Sequence, residues 1–151
     1  MLRNQTNRSI LERLPSLNLP DAWLVAGCLF QTVWNQRAGR APTAGIKDYD
    51  IFYFDASDLS QATEAAVGAR VGACLADLGV AVEAKNQARV HTWYPQWFGH
   101  DYPPLTSSRD GMDRFLVPCT CVGLQPEALG GEPSALYAPN GLDDLYAGLL
   151  R

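Results

Sequence analysis

The acidic residues Asp48 and Asp50 stand two positions apart at the start of a β-prone run, Lys47–Asp55, with the sequence KDYDIFYFD. Side chains alternate between the two faces of a strand, so these carboxylates share one face, while Tyr49 and Ile51 point to the other. Two carboxylates on one face repel each other unless a cation lies between them. Hard divalent cations such as Mg2+ take oxygen ligands of this kind. The spacing indicates a metal site, and an exposed strand end with solvated acids is the alternative.

A third acid, Glu83, is the only acidic residue in the next predicted strand, Val80–Lys85, where it interrupts an apolar run. Carboxylates from neighbouring strands hold one or two Mg2+ ions in sites that clamp the phosphates of a nucleoside triphosphate. Asp55 is a weaker third ligand, because an odd spacing of five residues from Asp50 places it on the opposite face. We therefore predict a metal site formed by Asp48, Asp50 and Glu83.

The segment before these acids predicts an anion-binding turn. The short apolar run Ala22–Ala26 is typical of a buried strand, Gly27 interrupts it, and Cys28–Gln36 continues as a helix. Such a junction presents free backbone N–H groups and the positive end of the helix dipole at one place, which suits a phosphate. The loop Gly39–Gly45 then leads into the acidic strand.

Helical and extended patterns alternate along the rest of the chain. Further helices are predicted at Asn4–Leu14, at Ser57–Leu78 with Ser60 as N-cap, from Ser107 or Ser108 to Phe115, and from Leu142 onward with Asn140 as N-cap. Asn86–Phe98 is predicted to be a helix or an extended segment that Pro95 interrupts. Further strands are predicted at Cys119–Leu124 and Ala135–Tyr137. This alternation predicts one α/β or α+β domain over residues 1–151.

The composition is that of a soluble globular protein, with 47% hydrophobic and 19% charged residues. A net charge of -4 argues against a non-specific nucleic-acid coat and against binding to anionic membranes. The chain shows no signal-peptide pattern and no apolar run long enough to cross a bilayer. Its four cysteines fit reduced thiols. We expect a cytoplasmic protein with no membrane partner.

The turn glycine, the D-x-D strand and the lone acid of the next strand, in this order, resemble the nucleotidyltransferase fold of the DNA polymerase beta-like superfamily. More closely, Trp23–Gly27, Asp48–Asp55 and Glu83–Tyr94 (EAKNQARVHTWY) are similar to a bacterial nucleotidyltransferase-like family. The later segments SSRDGMDRFLVPCTCVGL and YAPNGLDDLYAGLL are similar to it as well. The resemblance covers the chain from about Leu17 onward, and family members are expected to run somewhat beyond Arg151.

The resemblance implies a small mixed β-sheet flanked by helices. It also implies Mg2+-dependent transfer of a nucleoside monophosphate from a nucleoside triphosphate to an unidentified hydroxyl acceptor, which is a small molecule, a nucleic acid or a protein. The implied catalytic residues and ligands of one or two Mg2+ ions are Asp48, Asp50 and Glu83. The implied nucleotide-binding residues are Gly27, Cys28, Lys85 and Arg89.

Three residues depart from the pattern of the superfamily. Its members usually place a serine after the turn glycine, where the hydroxyl helps to hold phosphate, and this chain has Cys28. Relatives that modify tRNA ends place an Arg–Asp pair just after the glycines, where this chain has Phe30 and Gln31. These departures favour a second hypothesis, in which the fold binds a nucleotide or a protein without turnover.

The aromatic residues and the cysteines leave further alternatives. A base-stacking surface, core packing and a partner surface are all consistent with the aromatic residues Trp93, Tyr94, Trp97, Phe98 and Tyr102. A zinc site is disfavoured, because the pair Cys119 and Cys121 has the wrong spacing to join His91 and His100, and buried thiols are favoured instead. Cys28 lies in no nucleophile motif.

Overall fold

The chain forms a five-stranded mixed sheet with helices packed against it, and the computed structural model describes all of residues 1–151. The strands are β1 (Trp23–Val25), β2 (Asp48–Tyr53), β3 (Ala81–Asn86), β4 (Gly123–Leu124) and β5 (Leu136–Tyr137). The helices are α1 (Gln5–Arg13), α2 (Gly27–Arg37), α3 (Gln61–Cys74), α4 (Val90–Phe98), α5 (Ser108–Met112) and α6 (Asp143–Ala147). None of them has the length and apolar character needed to span a bilayer.

The strand order across the sheet is β3-β2-β1-β4-β5. β2 and β3 run parallel, because α3 carries the chain back from the end of one strand to the start of the next. The other neighbouring strands run antiparallel. The predicted α/β class with a small mixed sheet flanked by helices is confirmed.

One face of the sheet, which we name the core face, carries the main hydrophobic core. Leu24 of β1 and Tyr49 and Ile51 of β2 belong to a cluster of 16 buried residues that also takes in α1, α2 and α3. Asn4 is buried at the edge of this cluster, where its side-chain oxygen caps α1 and its amide donates to the hydroxyl of Tyr49. The helices therefore cover this face of β2 completely.

The opposite face, which we name the site face, has a much smaller apolar cluster. Trp23, Val25 and Phe52 pack there with Met112 of α5. Close packing at this place requires Gly123 in β4, because a β-carbon at that position would lie 2.5 Å from Met112 Sδ. α5 therefore covers only one end of the site face, and the acids of β2 and β3 lie beyond it.

Two predicted elements near the C-terminus are wrong. Cys119–Leu124 is not a continuous strand: Pro118–Thr120 forms a 3-10 turn, for which the fixed φ of proline is suited, and only the last two residues pair with β1. Asn140 does not cap α6, because its amide donates to the carbonyl of Pro118 and the helix begins at Asp143.

Two predicted helices differ in extent from the sequence expectation. Pro95 lies inside α4 and does not interrupt it. Tyr94 packs against Phe98 and Tyr102 at ring-centroid distances of 4.5 and 4.4 Å, contacts that hold this part of the helix despite the missing N–H. α3 has Ser60 as its N-cap, as predicted, but ends at Cys74 before a short 3-10 turn.

Candidate active site

The acids of two strands lie side by side on the site face. Asp48 and Asp50 are two residues apart on β2, and Glu83 is paired directly with Asp50 in the parallel β2–β3 ladder. Residues at paired positions of neighbouring strands point to the same face of a sheet. The structure thus places the three acids that the sequence singled out on one face of two neighbouring strands, and metal binding by them remains a prediction.

Lys85 joins the acids on the same face, two residues after Glu83. Its Nζ lies 3.2 Å from Glu83 Oε2 and 3.9 Å from Asp50 Oδ1, so the ammonium group supplies the positive charge between the two carboxylates. The side chains of Lys85 and Glu83 are 48% and 56% exposed. Ion pairs this exposed contribute little free energy, so Asp50 and Glu83 hold the Lys85 ammonium group only weakly.

Asp50 is the most buried of the acids, with a side chain that is 29% exposed. Its Oδ1 is buried and has no hydrogen-bond partner. Burial raises the pKa of Asp50, the charge of Lys85 opposes the rise, and the charges of Glu83 and Asp48 add to it. A buried carboxylate oxygen that accepts no hydrogen bond is costly even with the charge of Lys85 3.9 Å away, and a directly bound cation would reduce that cost. Asp50 therefore has the features of a metal ligand.

The turn between β1 and α2 lies at the Asp48 end of β2. Val25 pairs with Asp50 in the antiparallel β1–β2 ladder, so the residues that follow Val25 approach Asp48. We name the opening at this place the turn cavity. It has a volume of about 250 Å3 and is lined by Gly27, Phe30, Gln31, Gly45, Ile46, Lys47, Asp48 and Asp50. The glycine turn and the two β2 acids therefore share one opening.

Comparison with known proteins identifies the family. The family model described as Nucleotidyltransferase matches residues 12–151. The chain belongs to this nucleotidyltransferase family. Among solved structures it is similar to an NMR structure described as revealing a CCA-adding enzyme head domain, with 29% identity and a TM-score of 0.71 over 91% of this chain and 67% of that one. No curated protein sequence matches. The predicted family resemblance is confirmed, and nucleotidyl transfer is the activity that the family and the fold support.

The carboxylates of β2 would suit Mg2+ if the metal took two ligands from the protein. No three acidic, histidine or cysteine side chains are grouped in the arrangement of a metal site. Mg2+, however, is commonly held by one or two carboxylates, and waters and substrate phosphates complete its octahedral shell. Asp48 and Asp50 meet this requirement from one strand, whereas Glu83 would first have to leave Lys85.

Ala26, and not Gly27, has the unusual backbone conformation of the nucleotidyltransferase turn. Its φ is 56° and its ψ is -119°, a region that favours glycine and costs another residue about 1–3 kcal/mol. The Ala26 carbonyl accepts from the N–H groups of Leu29 and Phe30, and those of Gly27 and Cys28 make no hydrogen bond within the protein. The sequence gives no signal for this strain, because alanine is not expected at positive φ.

Two predicted nucleotide-binding side chains are directed away from the turn cavity. The Cys28 thiol is buried in the main core, where it donates to the Val25 carbonyl and burial raises its pKa, so Cys28 offers a nucleotide only its backbone N–H. The Arg89 guanidinium is paired with Glu64 and donates to the Leu59 carbonyl. Arg89 therefore has a structural role, and a phosphate contact would require the loss of this ion pair.

A second opening, which we name the aromatic cavity, lies at the other end of β2. It has a volume of about 360 Å3, and its sheet residues are Asn86 at the end of β3 together with Phe52 and Lys85, which follow Asp50 and Glu83 on the site face. Its aromatic walls are Trp93, Tyr94, Tyr102 and Phe115. The sequence drew attention to most of these rings but gave no sign that they open next to the acids.

Trp97, Phe98, Cys119 and Cys121 lie outside both the turn cavity and the aromatic cavity. Trp97 and Phe98 are 78% and 58% exposed and do not line the aromatic cavity. Cys119 and Cys121 are buried free thiols, as the sequence favoured. Cys119 donates to the Leu149 carbonyl, which accounts for its polar atom without a metal.

Proposed function

We propose that this protein transfers a nucleoside monophosphate from a nucleoside triphosphate to a hydroxyl acceptor, with Mg2+ held by Asp48 and Asp50. The observation that carries the proposal is the buried Oδ1 of Asp50 beside the turn cavity, which accepts no hydrogen bond and lies 3.9 Å from Lys85 Nζ. The family membership supports the reaction type. The metal, the triphosphate donor and the roles of individual residues belong to the proposal.

The triphosphate is bound in the turn cavity. The unpaired N–H groups of Gly27 and Cys28 lie at the N-terminus of α2, where the helix dipole adds to their attraction for an anion. Lys47 lines the same cavity and supplies a positive charge. These groups replace the serine hydroxyl that the superfamily usually provides, because the Cys28 thiol faces the core.

Asp48 and Asp50 would hold the Mg2+ ion. The chemistry supplied by bound Mg2+ is Lewis-acid activation of the acceptor hydroxyl and neutralisation of charge on the leaving pyrophosphate. Lys85 leaves Glu83 to contact a phosphate oxygen, which frees Glu83 to act as a further ligand. The acceptor oxygen forms a bond to the α-phosphorus, the bond from that phosphorus to pyrophosphate breaks, and the hydroxyl proton passes to water.

The first test compares Asp50→Asn with Asp55→Asn. Asp55 lies just beyond the same strand and accepts from Ser57, so its variant is a matched loss of one charge outside the site. Calorimetric titration with ATP, CTP, GTP and UTP, with and without Mg2+, measures binding, and pyrophosphate release measures transfer. Because metal coordination contributes several kcal/mol to such a transition state, we expect Asp50→Asn to slow transfer about 10³-fold.

The measured binding of triphosphates decides whether the proposal holds. We expect Mg2+-dependent binding of at least one triphosphate in the wild type and in Asp55→Asn, and its loss in Asp50→Asn. If no triphosphate binds, or if Asp50→Asn binds it as tightly as the wild type, the proposal is wrong.

A second candidate function is nucleotide binding without turnover. The position of Lys85 between two of the acids favours it, because this ammonium group already neutralises the carboxylates. The buried Cys28 thiol favours it as well, since a phosphate-binding hydroxyl is missing from the turn. This function predicts triphosphate binding without release of pyrophosphate. Steady turnover with any acceptor would rule it out.

A further inference from the structure

We infer that the aromatic cavity is the acceptor site and that the acceptor is a small hydroxyl-bearing molecule with a flat ring. The assignment as acceptor site rests on the proposed function. The class of ligand rests on the lining of the cavity alone, so the two are tested separately.

The position of the cavity supports its role. Asp48, Asp50 and Phe52 follow one another on the same face of β2, at steps of about 7 Å. The turn cavity lies at the Asp48 end and the aromatic cavity at the Phe52 end, with Asp50 between them. Transfer at phosphorus proceeds in line, with the attacking and leaving oxygens on opposite sides. An acceptor in the aromatic cavity therefore reaches the phosphorus from the side opposite the pyrophosphate.

The walls of the cavity are suited to a flat ring. Tyr94 and Tyr102 have ring centroids 4.4 Å apart, and Trp93 lies next to Tyr94 at 6.1 Å. The guanidinium of Arg114 lies 5.4 Å from the centroid of the Tyr102 ring, so that it closes one side of the group. Because these side chains pack against one another, they form an aromatic wall. Such a wall contacts a planar group without requiring a particular pattern of hydrogen bonds.

The polar groups of the lining limit the charge of the ligand. The Glu64 carboxylate is paired with Arg89 and also accepts from the Asn86 N–H, so it does not attract a cation. The Gln87 amide donates to the Lys85 carbonyl. The other charged groups of the lining are Lys85 and Arg114, which are both cations, and each is paired with an acid that does not line the cavity: Lys85 with Glu83, and Arg114 with Asp110. The lining therefore offers no unpaired carboxylate to a cation, and a neutral or anionic ligand suits it.

The cavity does not suit a nucleic-acid chain as acceptor. Its volume of about 360 Å3 lies in the range of small-molecule sites. A polymer would require a continuous basic surface, whereas the protein has a net charge of -4 and only two cations line the cavity. A small molecule whose ring enters the cavity satisfies both observations.

The test follows the tryptophan indole N–H signals of the full ¹⁵N-labelled chain by NMR during titration with benzyl alcohol. Benzyl alcohol has a flat ring and a primary hydroxyl, and glycerol serves as the probe with hydroxyls but no ring. The indole of Trp34 is an internal control, because it donates to the Leu145 carbonyl and Trp34 does not line the cavity. We expect benzyl alcohol to shift the Trp93 signal saturably and glycerol to leave it unchanged.

Three variants connect the signal to the cavity. Tyr102→Ala removes one wall and is expected to weaken benzyl alcohol binding about tenfold, whereas Tyr102→Phe keeps the ring and the affinity. Trp97→Ala removes an exposed ring from the same helix as Trp93 but outside the cavity, and we expect no change. If Tyr102→Ala does not fold, the contrast between probes and the Trp97→Ala control still test the site.

Repeating the titration with saturating ATP and Mg2+ distinguishes an acceptor from a donor base. We expect the affinity for benzyl alcohol to stay the same, because donor and acceptor bind at different ends of β2. Competition would assign the cavity to the base of the donor and overturn the inference. So would an unshifted Trp93 signal, or a salt-dependent shift by a short ribo-oligonucleotide. If ATP itself does not bind, the proposed function fails, and the benzyl alcohol titration still reports on the ligand class.

Discussion

The two faces of the sheet share β2 but differ in how completely other elements cover them. On the core face, Tyr49 and Ile51 are buried in a cluster of 16 residues to which four helices contribute. On the site face, the apolar cluster has four buried residues, and two cavities lie on either side of Asp50. The comparison shows that one set of alternate residues of β2 packs in the hydrophobic core, whereas the other set lines the candidate site. Changes on the two faces should therefore have separable effects.

The largest expected effect on stability comes from Ile51→Ala on the core face. Ile51 is fully buried, so its truncation loses transfer free energy and leaves a cavity, and we expect the free energy of unfolding to fall by about 2–5 kcal/mol. Urea unfolding followed by circular dichroism measures this loss. The adjacent variant Asp50→Asn serves as the control on the site face, since it removes a partly buried charge that lacks a hydrogen bond. The division between the faces would be wrong if Asp50→Asn were the more destabilising of the two.

An intermediate effect is expected from Arg89→Gln, which separates a structural role from nucleotide binding. The Arg89 side chain is 11% exposed and pairs with Glu64, so we expect the loss of this charged hydrogen bond to cost about 1.5–3 kcal/mol in unfolding free energy. The affinity for a triphosphate should not change. Lys85→Gln should do the reverse, because Lys85 is exposed and lies beside the acids. Calorimetric titration measures both affinities. If Arg89→Gln weakens triphosphate binding as much as Lys85→Gln does, Arg89 belongs to the nucleotide-binding site.

Local patterns predicted much of the fold and the positions of the three acids. The shared face of Asp48 and Asp50 was predicted from the alternation of side chains within a strand. Glu83 was predicted as their neighbour because it is the only acid in the next strand pattern along the chain. In the structure, the parallel register of β2 and β3 sets Glu83 beside Asp50. The ion pair of Arg89 could not be predicted from local patterns, because its partner Glu64 is 25 residues away on α3.

The features that the sequence did not predict depend on contacts between distant segments. The strained backbone of Ala26 is held between β1 and α2 and has no residue signature. The aromatic cavity requires α4 and the chain after α5 to meet over the far end of β2 and β3. Pro118 broke the predicted strand at Cys119 because a proline-led turn competes with an apolar run that alone favours β structure. The turn cavity and the aromatic cavity therefore form where distant segments pack together, which local sequence patterns do not predict.

The smallest expected effect is the pH dependence of stability from Asp50. Burial raises the pKa of Asp50 in the folded protein above the ordinary value of 3.8. The folded state thus binds the proton more tightly than the unfolded state, and stability falls as pH rises from 3.8 through the raised pKa. Asp50→Asn does not titrate, so its stability relative to the wild type should increase over this window and then remain constant.

Urea unfolding of the wild type and Asp50→Asn at a series of pH values measures this difference. The exposed acids whose pKa is lowered by hydrogen bonds, Asp55, Asp58 and Asp77, act alike in both proteins and cancel. A relative stability that is independent of pH, or that decreases across the window, would show that Asp50 is not held in a costly environment. Mg2+ at neutral pH should stabilise only the wild type, because a ligand that binds the folded state alone raises its stability. That response would connect the uncovered face of β2 directly to the metal that its acids are proposed to hold.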